Sequence, residues 1–143
     1  MLIRLAADAD IEMLRRIYDE RLALLVQGDR RIKPAPVQWL GRADGCVWVG
    51  EIAGTVAGYI SVWWTDSLWS IDHMGLDAHT YHPGLARALF SAVREGAQTR
   101  GAAGISVNVP SYDPVEQAFW RSVGAANARR RGSPGYQWMQ FSL

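Results

Sequence analysis

Residues 68–87, LWSIDHMGLDAHTYHPGLAR, constrain the fold of this chain more than any other segment. Leu68–Leu76 reads as a strand. Leu85, Ala88, Leu89, Ala92 and Val93 then recur at three- and four-residue spacing, the single apolar stripe of a helix. Only a short loop joins the two. Pro83 suits the first helical turn, because its missing N–H would have had no intrahelical partner there. Gly84 and Ala86 leave the following turn nearly bare of side chains. Such a helix start presents backbone N–H groups at the positive end of the helix dipole, which suits a phosphate. The same Pro-Gly pair also serves as plain turn punctuation, so the loop takes its meaning from the rest of the chain.

Around this segment short strands and helices alternate. Residues 2–5 read as a first strand. Asp8 or Asp10 can cap the helix that follows, with Glu12 in its first turn and a stripe of Ile11, Leu14, Ile17, Leu22 and Leu25. Residues 27–36, QGDRRIKPAP, have the polarity and prolines of a loop, and a short helix is expected at 37–42. Residues 46–52 and 56–64 read as a hairpin turned at Gly54, and Asp66 and Ser67 make the turn into Leu68–Leu76. Arg100 and Gly101 close the central helix. Residues 105–109 alternate as a fifth strand that residues 110–114 break. Residues 116–123 form a short helix stopped by Gly124, and residues 126–131 and 136–143 form a closing hairpin around GSPG. No repeat, low-complexity tract or linker interrupts the pattern, so one domain over residues 1–143 is expected.

The 143 residues are 49% hydrophobic, enough for a core of normal size. Fifteen basic residues against fourteen acidic ones give no broad attraction to nucleic acid or to a membrane surface. Cys46 is the only cysteine, which excludes an internal disulfide framework and fits a reducing, cytoplasmic setting. Apolar stretches fall short of a membrane span, and no signal-peptide pattern opens the chain.

Leu76 lies eight residues before Gly84 and ten before Ala86. That spacing resembles the acetyl-CoA motif of the GNAT acyltransferase superfamily. There, a strand ending in Val or Leu leads into a loop of Arg or Gln, two free positions, Gly, one free position, then Gly or Ala. Gly84 and Ala86 match the small positions, and Tyr81 stands where Arg or Gln is usual. The order of strands and helices also resembles the GNAT fold over nearly the whole chain. The resemblance implies an α/β (α+β) fold with a central mixed, mostly antiparallel sheet. It implies six to seven strands, splayed between the fourth and fifth, and about four helices. It also implies acetyl-CoA as cosubstrate, its pyrophosphate held around Tyr81, His82, Pro83, Gly84, Leu85, Ala86 and Arg87, largely by backbone N–H groups.

Acetyl transfer from a thioester to an amine needs three things. An alkylammonium with a pKa of roughly 10 must lose a proton before it can attack. The oxyanion needs a hydrogen-bond donor, and the departing thiolate can take a proton. In the family the donor is a backbone N–H on a bulged fourth strand, whose freed edge pairs with the pantetheine arm. By resemblance, Met74, Gly75 and Leu76 supply that edge, and Gly75 would allow a bulge and a close approach. In a regular strand Met74, Asp72 and Ser70 share the face of Leu76. Several branches of the family carry a Glu or His base at the places matching Ser70 and Asp72, so by resemblance Asp72 is the first choice of general base, acting directly or through water. A bulge flips parity and would turn His73 inward, which makes His73 the second choice. Either residue also has an ordinary reading, Asp72 as a solvated or salt-bridged strand residue and His73 as a packing histidine.

A second stretch, SYDPVEQAFWRSVGA, keeps a family spacing of Asn, Tyr seven residues later and Gly eleven later, with Asp113, Trp120 and Gly124 in those places. An indole cannot protonate a thiolate. Trp120 is then expected either to pack against the pantetheine or adenine or to anchor the helix in the core, and Asp113 to accept from the pantetheine amides. Tyr112 and Tyr136 are substitute acids. His79 and His82 border the phosphate loop, but two histidines three apart make a poor zinc site, and no metal is expected. Cys46 reads as a small apolar residue rather than a nucleophile. Residues 27–37 and 129–135 correspond to the family's acceptor-binding segments. Both are Arg-rich, which points to an acceptor with a carboxylate or phosphate, or simply to solvated loops. Seven tryptophans mark packing under helices, an acceptor pocket or a dimer contact; dimers are common in the family. The resemblance thus implies an N-acetyltransferase for a small amine or amino-acid-like acceptor. A non-catalytic acyl-CoA sensor or partner subunit of the same fold is the alternative, raised by Tyr81 and Trp120.

Overall fold

The computed structural model describes residues 1–23, 36–80, 82–111, 113–128 and 135–143. Its strands are β1 (Leu2–Leu5), β2 (Gly45–Ile52), β3 (Thr55–Trp64), β4 (Leu68–Leu76), β5 (Gly104–Pro110), β6 (Ala126–Asn127) and β7 (Tyr136–Ser142). Its helices are α1 (Ile11–Ala23), α2 (Leu85–Thr99) and α3 (Pro114–Ser122). The seven strands form one mixed sheet in the order β1-β2-β3-β4-β5-β7-β6. The β1–β2, β2–β3, β5–β7 and β6–β7 pairs are antiparallel, and β4–β5 is parallel. β1 and β4 begin and end where the sequence pattern put them.

The β2–β3 hairpin is closed by a two-residue loop, since Ile52 pairs with Thr55. Ala53 and Gly54 both take positive φ, 51° and 81°. That pair of angles is the twist-matched turn that two-residue hairpins favour. Gly54 adopts it freely, whereas Ala53 does so against its own Cβ.

By internal contacts the chain divides into two compact units, residues 1–63 with 72–93 and residues 64–71 with 94–143. In the first, Leu14 and Ile17 of α1 pack with Val47, Val49, Val56 and Tyr59, and Val37, Trp39 and Leu40 lie against the same cluster. Full burial of each such aliphatic side chain contributes roughly 1.5–3 kcal/mol. Arg4 ties β1 to the start of α1: its Nη1 donates to Asp10 Oδ2 at 2.7 Å, and its Nη2 donates to Asp10 Oδ1 and Glu51 Oε1, both at 2.9 Å. In the second unit Ile105, Val107, Val109, Met139 and Phe141 are buried. The Trp120 ring there meets Phe119 and Phe141 edge-on, with centroids 4.9 and 5.9 Å away.

Local expectations are corrected at three helix starts. Asp10 caps backwards rather than ahead: it ends a 3-10 turn, Asp8–Asp10, that precedes α1, and its Oδ2 accepts from the Ala7 N–H at 2.8 Å, as in a capping box, and from Arg4. The helix expected at 37–42 is one 3-10 turn, Pro36–Trp39, held by Leu40 N to Val37 O at 3.2 Å and ended by Gly41 at φ 72°. Pro83 lies in the turn before α2 rather than inside it. Gly84 stands at φ 88°, which no helix allows, so the helix begins at Leu85. At the other end of a helix the expectation holds: Gly124, at φ 110°, follows α3, and its N–H donates to Arg121 O at 3.1 Å.

Candidate active site

The parallel β4–β5 register runs from Leu68↔Gly104 to Ile71↔Val107. β4 itself continues through Leu76, so Asp72, His73, Met74, Gly75 and Leu76 lie beyond the last of these pairs.

The side chains of this stretch break the ordinary alternation. Asp72 Oδ2 accepts from the indole Nε1 of Trp39 at 3.0 Å. His73 Nδ1 is hydrogen-bonded to the Tyr59 hydroxyl. Trp39 and Tyr59 belong to the same cluster beneath α1. Two successive residues therefore reach one face, whereas neighbours in a flat strand point to opposite faces. Parity flips between them, as a bulge does. Gly75 returns to the His73 side, where a Cβ would stand 2.6 Å from the Tyr59 ring; close approach, not the bulge itself, requires glycine there. Leu76, 43% exposed, reaches towards Gly58 instead, where a Cβ would lie 2.9 Å from its Cδ2. Asp72 and Leu76 were expected to share a face and do not, because the break falls between them. Both base candidates end up together.

The rings around His73 are tightly arranged. Tyr59, fully buried, stacks on the imidazole at 5.5 Å and 24°, and Tyr18 meets it edge-on at 5.4 Å and 69°. The Tyr18 hydroxyl has its pKa raised by burial and by the nearby charges of Asp19 and Asp72. It stays a neutral phenol at physiological pH.

The loop after β4 is held by a residue the sequence reading did not single out. Asp77, 6% exposed, accepts from the His79 N–H and the Thr80 hydroxyl, each at 3.1 Å, and pairs with Arg16 of α1 at 3.1 Å. Burial pushes its carboxyl up, but these three partners hold it below the usual Asp range. The signal was present in the sequence as Asp-Ala-His-Thr, an acidic residue followed by a hydroxyl three positions on, the pattern of a side chain folding back on its own turn.

Past this anchor, the Leu85 N–H donates to His82 O at 3.3 Å, and the first α-helical bond runs from Ala88 N to Gly84 O at 2.9 Å. First-turn amides have no acceptor within the helix. A Cβ at Gly84 would meet no described atom within 4 Å, so there is open space beside the glycine that precedes these amides. Leu85 is buried, Ala86 and Arg87 follow in the same turn, and Nδ1 of His82 is buried without a hydrogen-bond partner among the described residues. Glu20, Asp77 and His79 bring ligand-type atoms within 4.8 Å of one another, but Arg16 already occupies Asp77.

Other expected site residues have structural work in the second unit. Asp113 caps α3, its Oδ1 accepting from the Glu116 N–H at 2.9 Å. Trp120 is 1% exposed and donates to Glu116 Oε1 at 3.3 Å, which is the helix-anchor reading and leaves no ring face open to a ligand. Tyr136 opens β7 opposite Pro110. Tyr81, Tyr112 and the Arg-rich stretches 27–35 and 129–134 lie outside the described residues.

The sheet order, the parallel β4–β5 pairing that ends partway along β4, and the bare start of α2 match the fold of the GNAT N-acetyltransferases. A ribosomal-protein-alanine N-acetyltransferase from Brucella melitensis superposes with a TM-score of 0.80 at 22% identity over 100% of both chains. The PaiA N-acetyltransferase from Thermoplasma acidophilum, solved in complex with coenzyme A, gives 0.80 at 13% identity, again over 100% of both chains. No family model matches the sequence, and no curated protein matches it. At these identities the likeness is one of fold.

Proposed function

We propose that this protein is an acetyl-CoA-dependent N-acetyltransferase acting on a primary amine of a small-molecule or amino-acid-like acceptor. The reading is carried by one observation: β4 runs on past its last β5 pair, and α2 starts directly after Gly84, beside which a Cβ would meet open space. The fold, shared with a protein solved with coenzyme A, supports the same cosubstrate.

In this reading the backbone N–H groups among residues 81–87 hold the diphosphate at the positive end of α2. Met74, Gly75 and Leu76 offer main-chain partners to the pantetheine arm. Bound there, acetyl-CoA supplies an acyl thioester. Asp72 takes the proton of the acceptor ammonium, directly or through water, so that the amine lone pair can attack. His73, its ring held by Tyr59, is the second candidate for that role. The amides of residues 74–76 donate to the acetyl oxygen as charge builds on it. The transfer is direct, and no side chain carries the acyl group. Tyr112 or water returns a proton to the thiolate. The protein is taken to be cytoplasmic and metal-independent, and homodimerisation fits the same reading.

Trp120 favours one competing reading. Buried and without an ionisable hydroxyl, it leaves the family's acid position unfilled, as a non-catalytic acyl-CoA sensor or partner subunit could tolerate. Incubation with acetyl-CoA and a panel of primary amines, with free thiol followed over time, separates the two. Amine-dependent thiol release is expected; saturable binding without release on any amine favours the sensor.

A further inference from the structure

We propose that Trp39 is a positioning residue for Asp72, fixing the carboxylate that accepts the acceptor's proton. The proposal rests on the acetyltransferase reading and concerns the same site.

Trp39 closes the 3-10 turn Pro36–Trp39, and its Nε1 donates to Asp72 Oδ2 at 3.0 Å. An indole N–H is donor only, so its partner must be an acceptor. Here that partner is an anion-forming group on the stretch of β4 that lies beyond its β5 pairs. The indole is itself immobilised. It stacks on Trp63, centroids 6.4 Å apart and planes 13° from parallel. The Arg42 guanidinium lies 5.1 Å from its centroid and is fixed by paired hydrogen bonds to Asp44, at 2.9 and 3.1 Å. A cation over the ring draws electron density from it and strengthens the N–H as a donor.

The backbone beneath is shaped to admit this ring. A Cβ on Gly45 would stand 2.6 Å from Trp39 Cε3 and 2.7 Å from Val62 O, so β2 can carry only glycine where the indole crosses it. Asp72 also sits where the alternation of β4 breaks, so its direction does not follow from strand geometry alone. The Trp39 N–H is one contact that sets this direction.

The test is a double-mutant cycle on turnover. Trp39→Phe keeps the stacked ring and removes the donor; Asp72→Asn removes the base. Trp39→Phe is expected to lower kcat by about tenfold with the KM for acetyl-CoA unchanged, the signature of a misplaced group rather than a lost binding contact. Asp72→Asn is expected to lower kcat by about 100-fold. In the double variant Trp39→Phe should add less than about twofold to the loss from Asp72→Asn, because the two act as one unit. Losses that multiply overturn the proposal while leaving the acetyltransferase reading intact. Absence of turnover in the unaltered protein overturns both. Should Trp39→Phe fail to fold, the indole N–H resonances decide: Asp72→Asn alone should shift one of the seven strongly. No such shift overturns the proposal.

Discussion

The Tyr59 hydroxyl is hydrogen-bonded to Nδ1 of His73, and the two rings stack at 5.5 Å. Tyr59 is fully buried, so it cannot follow the imidazole if that ring moves. The bond therefore fixes which way the histidine faces. Tyr59→Phe keeps the ring and loses the hydroxyl. It is expected to lower kcat by roughly three- to tenfold through ring misorientation, with acetyl-CoA KM within about twofold. Steady-state kinetics on the best amine of the panel provides the check; an unchanged kcat would remove His73 and its hydroxyl partner from the chemistry.

Gly84 bears on the cosubstrate alone. Its φ of 88° and the open space around its missing Cβ suit a backbone that a ligand approaches closely. Gly84→Val places a branched side chain there and strains the turn by about 1–2 kcal/mol. The KM for acetyl-CoA should rise by about tenfold or more, through obstruction of the helix-start amides. The amine KM should change little. Equal effects on both substrates would mean that the turn matters only for folding.

Ala53 offers a gain. Held at φ 51° in the two-residue turn, it pays a steric cost that Asn largely avoids. Ala53→Asn is expected to stabilise the fold by about 0.5–1 kcal/mol, read as a higher urea midpoint with the same slope. A lower midpoint would contradict the turn geometry.

The pH dependence of stability follows from two carboxylates. Asp10 is held below the ordinary 3.8 chiefly by its hydrogen bonds from Arg4, against the upward push of burial. Asp77 is likewise depressed by its partners despite burial. The unfolded chain therefore binds more protons than the folded one as pH falls through this range. Their contribution is fully present well above 3.8 and is lost as pH falls through the folded values. Unfolding free energy measured between about pH 6 and pH 3 should decline, and Asp10→Asn should flatten that decline while costing about 1–3 kcal/mol at neutral pH. A variant with the parent's acid limb would contradict the assignment to Asp10.

Much of this architecture can be read from period and spacing. The strand ending at Leu76 and the stripe from Leu85 are long, regular signals, and Gly84 and Ala86 stand out because they lack side chains where a helix begins. The face of Asp72 was legible only conditionally. Alternation assigns faces in a regular strand, and the break between Asp72 and His73 arises from contacts to Trp39 and Tyr59, which are distant in sequence. Pro83 was assigned one turn too far in, since nothing in the sequence fixes the φ of the glycine after it. Trp120 kept a family spacing while serving the core, because spacing reports position along a helix and says nothing of which neighbours cover it. Trp39 carried no sequence signal of its own; a tryptophan in a short turn acquires a role only when the sheet brings a carboxylate beneath its N–H.

The most direct measurement is a titration of coenzyme A followed by backbone amide resonances. The expected result is saturation below about 1 mM, in keeping with ordinary enzyme–substrate affinities, with the largest shifts at residues 84–87 and 74–76. Absence of saturable binding at that concentration, or shifts confined to other parts of the chain, would contradict the account.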